Sequence, residues 1–451
     1  MGEIAILGCG MAGLGAAWRL AEEGRAATVY DKNPYPGGHT ASFRDPSGFV
    51  FDDGPHISFT RNERVQGLLA DSVGGEYEIL QASVDNYWRG HRIKHPAQCN
   101  LHGLPVELVA RVLEDFIAVQ HGDGEGDGDG GDGAGIENYE DWLIASFGRA
   151  FAETFPMEYG HKYHTVEARG MSTDWLGPRL YRPKLDEVLV GALAPDTADV
   201  HYVDHFRYPS AGGFDSYLRA FLDRAEVRLE REVMGLDPGR GEVRFAGGEV
   251  IRPSAVISSL PLPALIERID GVPAEVAEAA ARLAVTTCVL VNVGVAREDL
   301  SPAHWTYFYD RDVCFTRISY PHMFSPGNAP PGTGSIQVEL YFSDKYRPLD
   351  APAESYVEPV IRDLIRCNVL REDDEILFRS AWVVPTANVI FDHDRAAAVA
   401  RVHGYLDEIG LAPCGRYGLW GYQWTDESFV SGEEAAQRTL DGLRYGAPAL
   451  P

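Results

Sequence analysis

The stretch Ile4-Ala5-Ile6-Leu7-Gly8-Cys9-Gly10-Met11-Ala12-Gly13 decides how this chain folds. Four apolar residues read as a buried parallel strand. A Gly-x-Gly-x-x-Gly turn follows at once. Leu14 to Glu23 then has helical spacing, Gly24 closes it, and a second strand, Ala27-Thr28-Val29-Tyr30, ends at Asp31. Each part has a physical reason. Gly8 makes the tight turn, Gly10 lets backbone approach a pyrophosphate, and Gly13 lets helix and strand pack closely. Asp31 can accept hydrogen bonds from a ribose 2′-hydroxyl. The helix N-terminus offers free N–H groups and a positive dipole end to phosphate. The pattern predicts an α/β dinucleotide-binding domain.

Outward from that unit, Pro36-Gly37-Gly38-His39-Thr40 places a second glycine pair close behind Asp31. It suggests a further backbone segment running along the cofactor. Asp31 stands where an arginine would suit a 2′-phosphate, so NADP is disfavoured.

The 451 residues are 45% hydrophobic and 24% charged, the profile of a globular protein rather than a fibrous or disordered one. Basic residues number 40 and acidic ones 67, a net charge of −27. So acidic a body disfavours nucleic acid and anionic lipid as partners, and an anionic substrate needs a local cluster of arginines. The six cysteines show neither a paired framework nor metal-ligand spacing, which points to reduced thiols and a cytoplasmic setting. No apolar run is long enough to span a membrane, and no metal is expected.

Strands and helices partition the chain into a discontinuous dinucleotide domain (1–60, 205–280 and 400–451), a mostly helical domain (61–204) and a substrate-domain β-sheet (281–399). Helices are expected over 105–121, 137–152, 396–409 and 432–443, and a strand over Tyr417 to Trp420. Val256-Ile257-Ser258 is expected to return beside the first strand. The segment 122–135, GDGEGDGDGGDGAG, cannot bury anything and reads as a mobile loop.

Further marks are Gly54-Pro55-His56-Ile57, Tyr87-Trp88-Arg89-Gly90, Phe155-Pro156-Met157-Glu158-Tyr159-Gly160-His161-Lys162, Met171-Ser172-Thr173-Asp174-Trp175, Phe315-Thr316-Arg317-Ile318 and Gly415-Arg416-Tyr417-Gly418. With the glycine motifs they make the chain resemble, nearly end to end, UDP-galactopyranose mutase and its relatives of the protoporphyrinogen-oxidase and amine-oxidoreductase type. The resemblance implies a glutathione-reductase-type FAD-binding Rossmann domain, a helical bundle and a six-stranded antiparallel substrate sheet. It implies FAD, active in its reduced form, and redox-neutral pyranose–furanose isomerisation of a nucleotide-linked sugar through a flavin N5 adduct. Net oxidation by a FAD oxidase or dehydrogenase is the alternative.

Roles follow from the same resemblance. His56 falls beside the flavin; its plain alternative is a core histidine bonded to backbone. Arg179 or Arg182 would bind the substrate's diphosphate unless they are surface or ion-paired arginines, and Arg317 would lie next to flavin or substrate. Gly37, Gly38, His39, Thr40, Val233, Arg416, Asp426, Ser428 and Phe429 would join Gly8, Gly10, Gly13 and Asp31 around the cofactor. On the substrate side the chain departs from the mutases. His164 replaces a tryptophan, Asn388 stands near a missing phosphate-binding tyrosine, and Trp420 takes the place of another, while Tyr422 is kept. The expected partner is a small molecule, a nucleotide diphosphate sugar; homo-oligomerisation is left open.

Overall fold

The computed structural model describes residues 2–121, 135–177, 180–200 and 202–445. Most of the acidic glycine segment and Arg179 lie outside them. Among the described residues, Ile4–Leu7 sits at the centre of a parallel five-stranded sheet, ordered Ala412–Pro413, Ala255–Ser258, Ile4–Leu7, Ala27–Tyr30, Glu226–Arg228. Ala255–Ser258 returns beside the first strand, with Ile4 facing Ala255 and Leu7 facing Ser258. Both strands are buried at every position, as a strand covered on two faces must be.

The first helix, Met11–Glu22, packs against the last, Thr425–Tyr445. They cross at backbone contact. A Cβ on Gly15 would overlap the Phe429 carbonyl, and one on Gly432 would overlap that of Ala12. The last helix thus starts earlier than the expected 432. The stretch expected as a strand, Tyr417 to Trp420, is instead the short helix Gly415–Gly418 followed by a turn. Trp420 in that turn holds a φ of 50°, uncommon for a bulky residue. Arg395 Nε donates to its carbonyl at 2.8 Å and fixes it there.

The second sheet has seven strands rather than six, ordered Ile376–Val384, Thr287–Val295, Gly334–Phe342, Arg317–Ser319, Trp305–Phe308, Val84–Trp88, His91–Lys94. Val84–Trp88 and His91–Lys94 come from the stretch expected to be mostly helical. Val84–Trp88 joins parallel to Trp305–Phe308; the remaining pairs are antiparallel. Five helices follow: Val106–His121, Tyr139–Phe147, Arg149–Thr154, Pro156–His164 and Leu185–Leu193. They share a core that includes Leu108, Val112, Phe116, Leu143, Phe147 and Phe151. The helix expected over 137–152 breaks at Gly148, whose φ is 78°. Asp115 restarts the chain by accepting the Ala150 N–H at 2.7 Å.

Among the described residues no helix is long and apolar enough to cross a membrane, and no cluster of His, Cys, Asp or Glu could hold a metal. All six cysteines are free thiols.

Candidate active site

The two sheets and the helices enclose a cavity of about 1510 Å³. One drug-sized ligand fills roughly 300–1,000 Å³, so this space suits a dinucleotide and a second molecule together. Its two ends are built differently.

At the parallel sheet the walls are backbone. Gly8, with a φ of 100°, turns the chain out of the first strand, and its N–H reaches the Tyr30 carbonyl at 2.8 Å. A Cβ on Gly13 would overlap the Gly8 carbonyl, whereas one on Gly10 would meet nothing closer than the Gly37 carbonyl at 3.8 Å. The space over Gly10 is therefore open. The first helix begins there with no side-chain cap, so its leading N–H groups are left for a ligand. Gly37, at a φ of 105°, pairs with Gly10 and donates its N–H to Cys9 at 2.9 Å. Both oxygens of Asp31 hold backbone: Oδ2 takes the Cys9 N–H at 2.7 Å and Oδ1 the Asn33 N–H at 2.9 Å. Each oxygen keeps a second lone pair, enough for a ribose hydroxyl. Gly38, His39, Thr40 and Val233 line the same end. An open glycine turn, an uncapped helix start and a neighbouring acid fit the pyrophosphate and ribose of a dinucleotide.

At the seven-stranded sheet the walls are side chains. Arg317 and Glu339 face each other across adjacent strands. Arg317 grips the carboxylate with Nε at 2.7 Å and Nη2 at 2.9 Å. Glu339 is 1% exposed and also accepts the Tyr341 hydroxyl. Tyr159 and Tyr307 complete this cluster. Tyr163 and Tyr422 meet hydroxyl to hydroxyl at 2.9 Å. Burial holds the phenols of Tyr159, Tyr163 and Tyr341 well above the ordinary tyrosine value, so at neutral pH all are hydroxyls.

Arg416 lies between the two ends. Its guanidinium stacks over Tyr422 at 4.4 Å and donates to Asn388 Oδ1 at 2.7 Å; no carboxylate pairs with it among the described residues. His56 keeps Nδ1 2.8 Å from the Gly54 carbonyl, and burial pushes it down to about 4. His164 is pushed down to about 3 by burial and then by the Arg416 charge; its Nδ1 has no hydrogen-bond partner among the described residues. Both imidazoles are neutral at pH 7.

The cavity thus gathers His56, His164, Arg317, Asn388, Arg416, Trp420, Tyr422 and Ser428 with Gly8, Gly10, Gly37, Gly38 and Asp31, while Gly13 packs behind them against the Gly8 carbonyl. Other expected site residues lie elsewhere. Arg182 is exposed and stacks on Trp142 at 4.5 Å, away from the cavity wall. Asp426 accepts from the Thr60 hydroxyl, and Phe429 is fully buried against Phe221. Helical spacing explains both: Thr425 and Ser428 share the face toward the cavity, and Asp426 and Phe429 share the next. Glu339 and the phenols Tyr159, Tyr163, Tyr307 and Tyr341 were missed. Glu339 had a signal, the one charged residue inside the β-rich run Ser335-Ile336-Gln337-Val338-Glu339-Leu340-Tyr341-Phe342.

A family model described as flavin containing amine oxidoreductase matches residues 11–440. The chain belongs to that family. It is a FAD flavoenzyme, and the glycine cradle is the part of the structure that fits the cofactor. Among solved structures, reduced UDP-galactopyranose mutase superposes with a TM-score of 0.89 at 24% identity, over 98% of this chain and 96% of that one. Cyclohexylamine oxidase from Brevibacterium oxydans IH-35A gives 0.66 at 12% identity, over 98% and 99%. At such identities the likeness is one of fold. Among curated sequences, 4,4'-diapophytoene desaturase of Staphylococcus haemolyticus is 46% identical over 54 residues, 12% of this chain. The chain spans only 11% of that relative's length. Family membership therefore fixes the cofactor and leaves the substrate to the cavity's side chains.

Proposed function

We propose that this flavoenzyme isomerises a nucleotide-linked sugar between pyranose and furanose forms without net oxidation. The observation that carries the reading is the wall facing the cradle, a buried array of phenols around the Arg317–Glu339 pair. A hydrocarbon placed there would leave these donors and acceptors unpaired at a cost of about 1–3 kcal/mol each. An amine would want a free carboxylate, and Glu339 is already held by Arg317. A polyol satisfies such a wall. The close backbone likeness to UDP-galactopyranose mutase supports the same reading.

In this scheme Arg317 and Arg416 meet the phosphate charges, and Tyr159, Tyr163 and Tyr422 hold sugar hydroxyls. His56, with Nδ1–H donating to Gly54, offers Nε2 as a proton acceptor. The bound flavin supplies a ring that is nucleophilic when reduced. Trp420 favours the second reading, net oxidation, since its buried indole offers no phenolic hydroxyl to a phosphate. One experiment separates them. Enzyme reduced with dithionite under nitrogen is incubated with UDP-, dTDP- and GDP-sugars, and the products are resolved by chromatography. An isomer formed without consumption of an electron acceptor is expected. Product that forms only as an acceptor is consumed would replace isomerisation with oxidation.

A further inference from the structure

We propose that docking of a diphosphate-linked ligand in this cavity takes up one proton from solvent, and that Glu339 holds it. The inference rests on the nucleotide-sugar reading above. Arg317 is one of the arginines that reading gives to the phosphates, yet its Nε and Nη2 are already committed to the Glu339 carboxylate. A phosphate that takes over that fork puts its own negative charge beside a carboxylate that is 1% exposed. Two like charges in one low-dielectric space drive the weaker acid to its neutral form.

Among the described residues, Arg317 is the one cation paired with Glu339. Arg317 comes from the neighbouring strand, Tyr307 from the one beyond, Tyr341 from its own strand, Tyr159 and Tyr163 from the Pro156–His164 helix, and Cys288 from Thr287–Val295. Burial holds the thiol of Cys288 well above its ordinary value, as it does these phenols, so Arg317 is the one charged neighbour in this set. Once protonated, Glu339 keeps an acceptor oxygen for the Tyr341 hydroxyl and gains an O–H donor. The Arg317 N–H groups turn to phosphate, a bidentate match of similar quality. Other acid–base groups line the cavity, His39, His56, His95, His164 and Asp53 among them, and Asp53 accepts the Trp382 indole N–H at 2.9 Å. The test must tell these from Glu339.

Oxidised, FAD-loaded enzyme is titrated with UDP-galactose, whose phosphates carry no titratable proton near neutrality. Calorimetry in two buffers of different ionisation enthalpy counts the protons. Wild type should take up about one proton, and its affinity should weaken as pH rises. The Glu339→Gln variant should bind with no buffer dependence and a flat pH profile. Uptake that persists in Glu339→Gln overturns the proposal, as does wild-type binding without uptake. If Glu339→Gln fails to fold, infrared difference spectra of wild type decide. A protonated-carboxyl band appearing with ligand is expected, and its absence overturns the proposal. If UDP-galactose does not bind, dTDP- and GDP-sugars replace it, and binding of none of them would overturn the nucleotide-sugar reading first, and this inference with it.

Discussion

The cradle at Gly8–Gly13 and the wall at Arg317–Glu339 enclose one cavity by opposite means. The cradle is made by leaving side chains out, and all its parts but Val233 sit close together in the chain, from Gly8 to Thr40. The wall is made by putting side chains in, from strands and helices far apart in sequence. The first can be replaced by almost nothing, because only glycine fits where a Cβ would strike a carbonyl. The second can be altered residue by residue, at a cost set by each group's partners. A family can therefore keep its cofactor while its substrate changes, and this chain keeps the glycines but carries His164, Asn388 and Trp420 on the wall.

The sharpest way to break that contrast is inside the cradle. Gly13→Val should cost more than about 4 kcal/mol, because the new side chain meets the Gly8 backbone; soluble protein should fall sharply. Gly10→Val should fold, since its Cβ would meet only the Gly37 carbonyl at an ordinary 3.8 Å, yet purify without flavin absorbance. Equal damage from the two would mean that the open space over Gly10 is not cofactor space.

On the wall, Arg317→Ala leaves the Glu339 carboxylate buried without its cation. A destabilisation of about 3 kcal/mol is expected in urea melts, together with loss of turnover. Adding Glu339→Gln to that variant should restore most of the stability and none of the turnover. Recovery of both would remove Arg317 from the site.

A smaller effect belongs to the buried histidines. His164 and His304 are pushed down by burial to about 3 and about 4, below the ordinary value of 6.5 that they regain on unfolding. The unfolded chain then binds more protons, so stability is full above pH 6.5 and falls as pH drops toward those values. Each should cost about 1–2 kcal/mol between pH 7.5 and pH 5. His304→Gln should flatten part of the slope in chemical denaturation at the two pH values. A melt with no pH dependence would contradict the neutral assignment.

The smallest effect is assigned to Arg182. It stacks on Trp142 outside the cavity, so Arg182→Ala should change nucleotide-sugar affinity by less than about threefold and stability by about 0.5–1 kcal/mol. A tenfold loss of affinity by titration would return Arg182 to the substrate and blur the division between cradle and wall.

How far these features could be read from residues follows the same division. Gly8, Gly10, Gly13 and Asp31 lie within one strand–turn–helix–strand unit, so local spacing was enough, and Ala255–Ser258 was recognisable as a buried strand of the same sheet. Position along a helix was harder. Asp426 and Phe429 belong to the right helix but face away from the cavity, because the helix starts at Thr425 rather than Gly432 and its phase depends on Gly432 seating on Ala12. Tyr417 to Trp420 looked like a strand by its apolar residues. Tertiary packing overrode that, since a Cβ on Gly415 would press on Ala12 and the chain must turn there. Strand Val84–Trp88 was hidden because one of its partners, Trp305–Phe308, lies far along the chain, and His91–Lys94 enters the sheet only through Val84–Trp88.

The order in which a ribosome releases these pieces gives the close crossing of the first and last helices another meaning. The Gly8–Gly13 turn and strands Ile4–Leu7 and Ala27–Tyr30 emerge early. Their neighbours Ala255–Ser258 and Ala412–Pro413, and the helix whose Gly432 seats on Ala12, emerge late. Pairings of such long sequence separation form slowly, and only once both partners exist. The phosphate-cradling turn therefore waits half-built through most of synthesis. Arg416, Tyr422 and Ser428, which line the same cavity, also belong to these late pieces, so the cavity is complete only once the helix that carries Gly432 has docked.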